Sequence, residues 1–310
     1  MTAAPPMRRV AAAEEARPNA VPLELLRKVR RIEIRVRRLL NTVFLGEYHA
    51  VFRGQGIEFS EVREYIPGDD IRTIDWNVTA RMNYPFIKQY VEERELTVML
   101  VVDVSASGTY GSVGLSKSEI AAEVAALLAF SAVRNNDKVG LIAFSDGVEK
   151  YLPPRKGREH VLRVIRELLW LTPQGRGTNI ASALSYVNRV QRRRSVVFLI
   201  SDFLGSGYES VLRVASRRHD VIAIALTDPR ELALPDAGLV ALEDAETGET
   251  VIVDAGDAKL REEYRRLALD ALGRRNYTLQ STQVDRVDIQ TDRSYVEPLV
   301  RFFKARSRRY

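Results

Sequence analysis

The sequence of 310 residues contains no cysteine and only three histidines. Without thiols the chain cannot form disulfides, thiolate metal sites or cysteine nucleophiles, and this composition is typical of a reducing compartment. The histidines, His49, His160 and His219, lack the spacing of a zinc motif. We therefore expect neither zinc binding nor cysteine catalysis.

Long apolar runs and a nucleotide-binding loop are also missing. The longest apolar candidate, AAEVAALLAFSAV at residues 121–133, is shorter than the roughly 20 residues that span a bilayer. The first twenty residues lack the apolar core of a signal peptide, so we expect a cytoplasmic protein without a transmembrane segment. The phosphate-binding loop of ATPases, GxxxxGK followed by Ser or Thr, is absent, so we expect no ATP hydrolysis by this chain.

Positive charge is concentrated at the two ends of the sequence. The formal net charge of +6 divides into +5 for residues 1–50, +5 for residues 301–310 and −4 for the segment between them. Basic ends are able to bind nucleic acid, anionic lipid or an acidic partner, but they are equally compatible with solvated helix faces. The acidic central segment and the lack of an aromatic stacking platform argue against a specific nucleic-acid partner.

The sequence pattern divides the chain into three parts. Residues 1–20 are rich in alanine and proline without apolar periodicity, which predicts a disordered tail. Residues 21–95 begin with an amphipathic helix predicted from Leu23 to about Phe44. Short alternating stretches follow and predict a small β-rich subdomain, in which no helix start is convincing. Residues 96–310 form the third part.

In residues 96–310, continuous apolar strands alternate with helices. This rhythm predicts the α/β class, with a doubly wound, mostly parallel sheet covered by helices on both faces. Ser116 and Glu119 predict a capping box at the start of the first helix. Strands are predicted at residues 96–105, 137–146, 148–153, 195–204 and 220–228, with a hairpin at 238–255.

The first of these strands, in MLVVDVSASG at residues 99–108, ends in a carboxylate and two alternate hydroxyls. Ligands of doubly wound sheets bind outside the carboxyl ends of the strands, where the strand order reverses. Three loops at such positions carry oxygen-bearing side chains, and we expect them to converge. They are Asp103, Ser105 and Ser107 in the first loop, Thr178 in the glycine-rich loop QGRGTN, and Asp202 in FLISDF.

Carboxylate and hydroxyl oxygens without nitrogen or sulfur are the ligands of a hard divalent cation. We expect Mg²⁺, with Mn²⁺ as the alternative, and the small residues Ala106 and Gly108 leave room for an outside ligand. Taken singly, the same residues have ordinary interpretations. Asp103 can be a solvated loop carboxylate, the serines can be turn residues, and Thr178 can cap the helix that follows it.

Taken together, D-x-S-x-S, a GT about seventy residues later and an apolar strand ending in SD form the pattern of a metal-ion-dependent adhesion site. Over roughly residues 96–230 the sequence resembles the von Willebrand factor A (vWA) family. The resemblance implies that the five residues named above hold Mg²⁺ and that a partner's carboxylate completes the coordination shell. Asn179 departs from the family, which often has Asp at this position.

A second resemblance covers nearly the whole chain. GxGxEFxxxRxYxPGDDxRxIDWxxxAR, from Gly54 to Arg81, is similar to the signature of the domain-of-unknown-function 58 family, as are YLPPRKGREHVLRVI and TDRSYVEPLVRFF. This bacterial family carries a vWA-like domain and is associated with MoxR-type AAA+ ATPases. The resemblance implies an adaptor or chaperone-like role in assembling or activating other protein complexes.

The stretch EYIPGDDIRTIDW within that signature combines a Pro-Gly turn with several charges. A structural network of paired charges, with a tryptophan as core or interface anchor, explains it adequately. A catalytic carboxylate pair is less favoured, because no histidine, lysine or nucleophile accompanies it. We expect this segment to present a partner surface that includes Asp69, Asp70, Arg72, Asp75 and Trp76.

These observations predict a non-catalytic, Mg²⁺-dependent protein-interaction module. Its expected partners are a MoxR-type AAA+ ATPase and an acidic side chain of a client protein at the metal. The alternative is a Mg²⁺-dependent phosphatase or phosphotransferase, which also places an Asp at a strand end. Against it, Ser105 occupies a position where an acid/base carboxylate would help, and no lysine has an obvious phosphate-binding role.

Overall fold

The computed structural model of the chain describes residues 22–40, 48, 51, 57–92, 95–112 and 114–309. The tail predicted for residues 1–20 lies outside these ranges, as do residues 41–44 of the first predicted helix and the start of the signature at Gly54. The strands are β1 Ile57–Glu64, β2 Phe86–Glu92, β3 Thr97–Asp103, β4 Lys138–Phe144, β5 Val148–Arg155, β6 Val196–Ser201, β7 Asp220–Thr227, β8 Leu239–Glu243, β9 Thr250–Asp254 and β10 Asp285–Gln290. The helices are α1 Leu23–Leu39, α2 Trp76–Met82, α3 Lys117–Arg134, α4 Arg158–Trp170, α5 Ile180–Val190, α6 Glu209–Arg218, α7 Pro229–Leu232, α8 Ala258–Ser281 and α9 Val296–Ser307, with 3-10 turns at Ile71–Thr73 and Ala106–Thr109.

A six-stranded sheet with the order β10-β7-β6-β3-β4-β5 forms the centre of the protein. All neighbours are parallel except β5, which pairs antiparallel with β4 at one edge. From β3 the chain moves outward through β4 and β5 and then returns to place β6 on the other side of β3. The strand order therefore reverses between β3 and β6, which confirms the predicted doubly wound α/β fold.

Both faces of this sheet are covered, because alternate residues of each strand point into separate apolar cores. Val98, Leu100 and Val102 of β3 lie in a core with α1, α3, α4 and α9. Met99 and Val101 lie in the opposite core with α5, α6 and one turn of α8. This two-sided burial explains why the strands appear in the sequence as unbroken apolar runs.

The amphipathic helix α1 packs against α3 and α4 through its apolar stripe, which includes Val29, Ile32 and Val36. Its polar face forms ion pairs with the same helices, such as Lys28 Nζ to Glu119 at 2.6 Å. The capping box predicted at the start of α3 is present: Ser116 accepts from the Glu119 backbone N–H, and the Glu119 carboxylate accepts from the Ser116 N–H.

The segment between α1 and β3 contains a two-stranded antiparallel sheet, β1 and β2, with α2 between the strands. The expectation of no helix in this segment was wrong. Asp75 begins α2 by accepting hydrogen bonds from the N–H groups of Asn77 and Val78, and Asn83 ends the helix in a left-handed conformation. With only seven residues, most of them polar or exposed, α2 is too short to show an apolar period.

The hairpin predicted at residues 238–255 is confirmed as β8 and β9, which pair antiparallel apart from the main sheet. Its turn, residues 244–249, is held by Asp244, whose carboxylate accepts from the backbone N–H groups of Glu246 and Thr247. Within the described ranges, no helix has the length and apolar content needed to cross a membrane.

Candidate functional site

The point where the strand order reverses brings two carboxylates together. Asp103 is the last residue of β3, and Asp202 directly follows β6. Val102 lies opposite Ile200 in the parallel register, which places Asp103 beside Ser201 and next to Asp202. The sheet topology therefore positions both acids, as the sequence predicted for two of the three loops.

Asp103 is only 9% exposed, and the protein engages both of its oxygens. Oδ1 accepts the backbone N–H of Ser105 at 3.0 Å, and Oδ2 accepts the hydroxyl of Ser201 at 2.6 Å. Burial raises the pKa of Asp103 to about 6, and the neighbouring charge of Asp202 adds to this effect. An ionised Asp103 is thus unfavourable unless a cation lies nearby.

The two serines of the first loop connect with Asp202 in one chain of polar contacts. Ser105 Oγ lies 3.1 Å from Ser107 Oγ, and the Ser107 hydroxyl donates to Asp202 Oδ2 at 3.0 Å. The 3-10 turn Ala106–Thr109 gives the loop its shape, and Gly108 N–H donates to Ser105 O within it. Four of the five predicted ligands are therefore brought together.

This donor set fits Mg²⁺ in chemical type and in spacing. Neighbouring ligands at about 2.1 Å from an octahedral Mg²⁺ lie about 3.0 Å from each other. The oxygen–oxygen distances of 3.1 and 3.0 Å along the chain from Ser105 to Asp202 are those of hydrogen bonds and are also compatible with that separation. A cavity of about 10 Å³, whose lining includes Asp103, Ser107, Asp202 and also Lys117, offers the room of one water-sized species.

No group of three or more His, Cys, Asp or Glu side chains that could hold a metal ion occurs in the described part of the chain. The candidate set contains only two carboxylates, and hydroxyls supply its other oxygens. Mg²⁺ therefore stays a prediction that the geometry permits.

Thr178, the fifth predicted ligand, is hydrogen-bonded outside this chain of contacts. Its hydroxyl donates to Glu246 Oε1 at 2.8 Å, in the turn between β8 and β9. The glycine-rich loop nevertheless lies beside the first loop, since Ala106 N–H donates to Arg176 O at 3.0 Å. The alternative role for Thr178 as a helix cap was wrong, because Asn179 is the residue that caps α5.

The glycines of this loop lie close to the side chains that follow β4. A Cβ added at Gly175 would collide with Asp146 and Ser145, and one added at Gly177 would collide with Asp146. Glu149 fixes the same loop by accepting from the Gly175 N–H at 2.9 Å. The loop is thus held tightly against the end of β4.

Lys117 is a residue at the site that the sequence analysis missed. It is the first residue of α3, is 2% exposed, and places Nζ 2.8 Å from Asp202 Oδ2 and 2.5 Å from Glu231 Oε1. Burial lowers the pKa of Lys117, but the charges of Asp202 and Glu231 outweigh burial and raise it above its usual value. The sequence contains one signal for this ion pair: Lys117 lies in the first turn of an apolar helix. The helix dipole disfavours a cation at that position, so a carboxylate partner is needed.

Arg275 and Asp228 hold backbone segments next to the site. Arg275, on α8, donates to the backbone carbonyl of Asp202 at 3.3 Å and to Thr227 Oγ1 at 3.1 Å. Asp228 is fully buried and accepts from the Ser112 N–H and the Thr291 hydroxyl. These contacts link the end of β7 to the site.

The acidic residues of the segment EYIPGDDIRTIDW have structural partners. Asp69 forms a bidentate ion pair with Arg63, with both N–O distances at 2.8 Å, and this pair lowers the pKa of Asp69. Asp70 accepts from the Arg72 N–H and begins the 3-10 turn, as Asp75 begins α2. Trp76 is 70% exposed and is therefore not a core residue.

Large apolar side chains are exposed around that tryptophan in sequence. They are Ile66, Ile71, Trp76, Met82 and Tyr84, and we call them the apolar surface of the small subdomain. Contiguous apolar patches on a protein surface mark interaction sites, and this short segment supplies five exposed apolar side chains from which such a patch could be built.

Comparisons with known proteins identify relatives without an assigned activity. A family model described as "Protein of unknown function DUF58" matches residues 61–272. The uncharacterized protein Rv1480 of Mycobacterium tuberculosis is 34% identical over 288 residues, which cover 92% of this chain and 90% of that protein. The uncharacterized protein MAV169 of Mycobacterium avium is 35% identical over 160 residues, which cover 51% of this chain and 94% of that protein.

Solved structures are more distant. The conserved hypothetical protein BatB from Bacteroides thetaiotaomicron has a TM-score of 0.45 at 18% identity, covering 69% of this chain and 99% of that one. The SpRpn10 VWA domain has a TM-score of 0.36 at 14% identity, covering 66% and 94%. The assignment of the fold rests on the strand order and connectivity described above and not on these similarities.

Proposed function

The chain belongs to the DUF58 family of proteins of unknown function, and from this premise we propose that it is a non-catalytic, Mg²⁺-dependent protein-interaction module. The observation that carries the proposal is the chain of oxygens from Ser105 through Ser107 to Asp202, beside Asp103 at the reversal of strand order. Its spacing and its all-oxygen composition support a hard divalent cation, with Mg²⁺ preferred and Mn²⁺ as the alternative.

In this proposal Asp103, Ser105, Ser107 and Asp202 hold the ion, and Asp103 also fixes the loop. Asp103 does so by accepting the Ser105 N–H and the Ser201 hydroxyl, so the serine oxygens stay side by side. Bound Mg²⁺ supplies a Lewis-acid position for a carboxylate of the client protein. Thr178 joins the set only if its hydroxyl leaves Glu246.

The finer part of the proposal is an adaptor or chaperone-like role beside a MoxR-type AAA+ ATPase in the cytoplasm. The apolar surface of the small subdomain is the face that we assign to this partner, with Trp76 as its largest exposed side chain. Asp69, Asp70 and Asp75 would act there by fixing the backbone, because their carboxylates are already bonded to neighbours. The Arg72 side chain is exposed, and we assign its guanidinium to the same partner surface.

The direct test measures the metal alone. Isothermal titration with Mg²⁺, and Mn²⁺ titration followed by electron paramagnetic resonance, should detect one site in the wild type. Ser107→Ala and Asp202→Asn should abolish it while the circular dichroism spectrum is retained, and Ser206→Ala, an exposed serine, serves as the matched control. Stoichiometric binding that survives both site variants would place the ion elsewhere.

The partner test uses immobilised protein and the co-expressed ATPase and client. Capture of an acidic client should be lost in EDTA and in Asp103→Ala, whereas Trp76→Ala should reduce capture of the ATPase without changing metal binding. Equal client capture with and without EDTA would contradict the metal-dependent mechanism.

A Mg²⁺-dependent phosphatase or phosphotransferase is the second candidate, and Lys117 is the observation that favours it. A lysine beside a strand-end Asp is able to neutralise a phosphoryl group. In this structure, however, Lys117 is bonded to two carboxylates, and both oxygens of Asp103 accept hydrogen bonds. Turnover of a generic phosphomonoester in Mg²⁺ that Asp103→Asn abolishes would favour this candidate over the interaction module.

A further inference from the structure

A buried cation lies beside the proposed metal ligands. Lys117 is almost fully excluded from solvent, and a buried ammonium requires close anionic partners. One of these is Asp202 Oδ2, at 2.8 Å. The same oxygen accepts the Ser107 hydroxyl, so the ammonium meets the proposed ligand chain at one atom.

The second partner of Lys117 is held independently of the site. Glu231 Oε1 lies 2.5 Å from Lys117 Nζ, while Glu231 Oε2 accepts the backbone N–H of Asp228 at 3.0 Å in a capping box of α7. The backbone therefore fixes the Glu231 carboxylate in place. Lys117 retains an anionic partner even if it leaves Asp202.

A divalent ion bound to Asp202 Oδ2 would place two cations on one oxygen. The metal would lie about 2.1 Å from that oxygen, and the ammonium lies at 2.8 Å. Repulsion between like charges at such separations is strong in a site with little water. The two cations would therefore repel each other across that oxygen, and Glu231 offers a place to which the ammonium can withdraw.

We propose that Lys117 is the chain's own counter-cation for Asp202 and that it competes with the divalent ion for that carboxylate. This inference rests on the proposed function. It implies that the ion binds weakly to the free protein and tightly only when a client carboxylate adds a further ligand. Metal and client then bind cooperatively, because each lowers the cost of displacing Lys117.

The test is Mn²⁺ titration of Lys117→Met, which removes the charge and keeps an unbranched side chain of similar length. Its affinity for Mn²⁺ should exceed that of the wild type by at least about tenfold, because the repulsion between like charges a few ångströms apart is removed. In EDTA the variant should unfold at a lower temperature than the wild type, and Mn²⁺ should restore it. Lys150→Met, on β5 with its own partner Glu167, is the matched control and should change neither property.

Glu231→Gln provides the opposite perturbation if Lys117→Met does not fold. It removes the charge that retains Lys117, so Mn²⁺ affinity should fall. Equal affinity in wild type, Lys117→Met and Glu231→Gln would overturn the competition but leave the metal site standing. Weaker binding by Lys117→Met would also overturn it, and absence of binding in every variant would refute the metal site together with the inference.

Discussion

Replacement of Asp103 by Asn should stabilise the metal-free protein. Burial and the charge of Asp202 raise the pKa of Asp103 from 3.8 to about 6, which corresponds to about 3 kcal/mol of folding free energy lost when the carboxylate is ionised. Asn keeps an acceptor for the Ser105 N–H and offers an N–H to Ser201 Oγ. Exchanging charged for neutral hydrogen bonds costs about 1 kcal/mol or more, so the expected gain is about 1–2 kcal/mol.

The sign of this effect depends on pH. Because the folded-state pKa of Asp103 lies above its unfolded value, the wild type loses stability as the pH rises from 3.8 through 6. The advantage of Asp103→Asn should therefore be largest at pH 7 and above, should vanish at about pH 5 and should turn into a disadvantage at about pH 4. Thermal unfolding in EDTA should show a rise in Tm of about 2–5 °C at pH 7.5.

Asp236→Asn is the matched control, because the Asp236 side chain is 72% exposed and its replacement should leave Tm unchanged. A second measurement adds Mg²⁺, which should raise the Tm of the wild type and not that of Asp103→Asn. If Asp103→Asn lowers Tm in EDTA at pH 7.5, the Asp103 charge stabilises the fold by itself, and our account of an acid held ready for a cation is wrong.

Three further predictions concern other parts of the structure. His219 is buried, and burial lowers its pKa to about 4, so the stability that the neutral ring provides above pH 6.5 is lost as the pH falls towards 4. In urea unfolding, His219→Gln should reduce the change in the free energy of unfolding between pH 6.5 and pH 4. An unchanged pH dependence of that free energy would contradict this prediction. Asp228→Ala leaves the buried hydroxyl of Thr291 without its acceptor and removes the acceptor of the Arg230 N–H at the start of α7, so it should lower the free energy of unfolding by about 3 kcal/mol, more than Asp228→Asn does. Equal, small losses would mean that water replaces the carboxylate. Glu246→Ala frees the Thr178 hydroxyl and should raise Mn²⁺ affinity with less than about 1 kcal/mol change in stability, whereas unchanged affinity would exclude Thr178 from the ligand set.

The fold was predictable because its strands are buried on both faces. VMLVV at residues 98–102 and VVFLI at residues 196–200 contain no polar residue, so their burial on both faces and parallel pairing follow from composition. Helix α2 was not predictable in this way, because its stability comes from the Asp75 cap and from its place between β1 and β2 rather than from an apolar period.

The candidate site was predictable as far as it depends on strand ends. Asp103 and Asp202 both follow apolar strands, and sheet geometry then brings them together. Lys117 and Glu231 were missed because their contact joins residues 114 positions apart, and an ion pair leaves no periodic trace in the sequence. The same holds for Glu246, which reaches Thr178 from a hairpin outside the main sheet.

The docking of α1 has a consequence for how this chain is divided. Val29, Ile32 and Val36 precede the small subdomain in sequence, yet they share one core with α3 and α4, which follow it. Residues 57–92 are thus an insertion between two parts of a single folding unit, because α1 before them and α3 and α4 after them belong to the same core. A fragment that starts at β3 would lack α1 and would expose the part of its apolar core that α1 covers. The small subdomain therefore cannot be removed by truncating the chain at a single point.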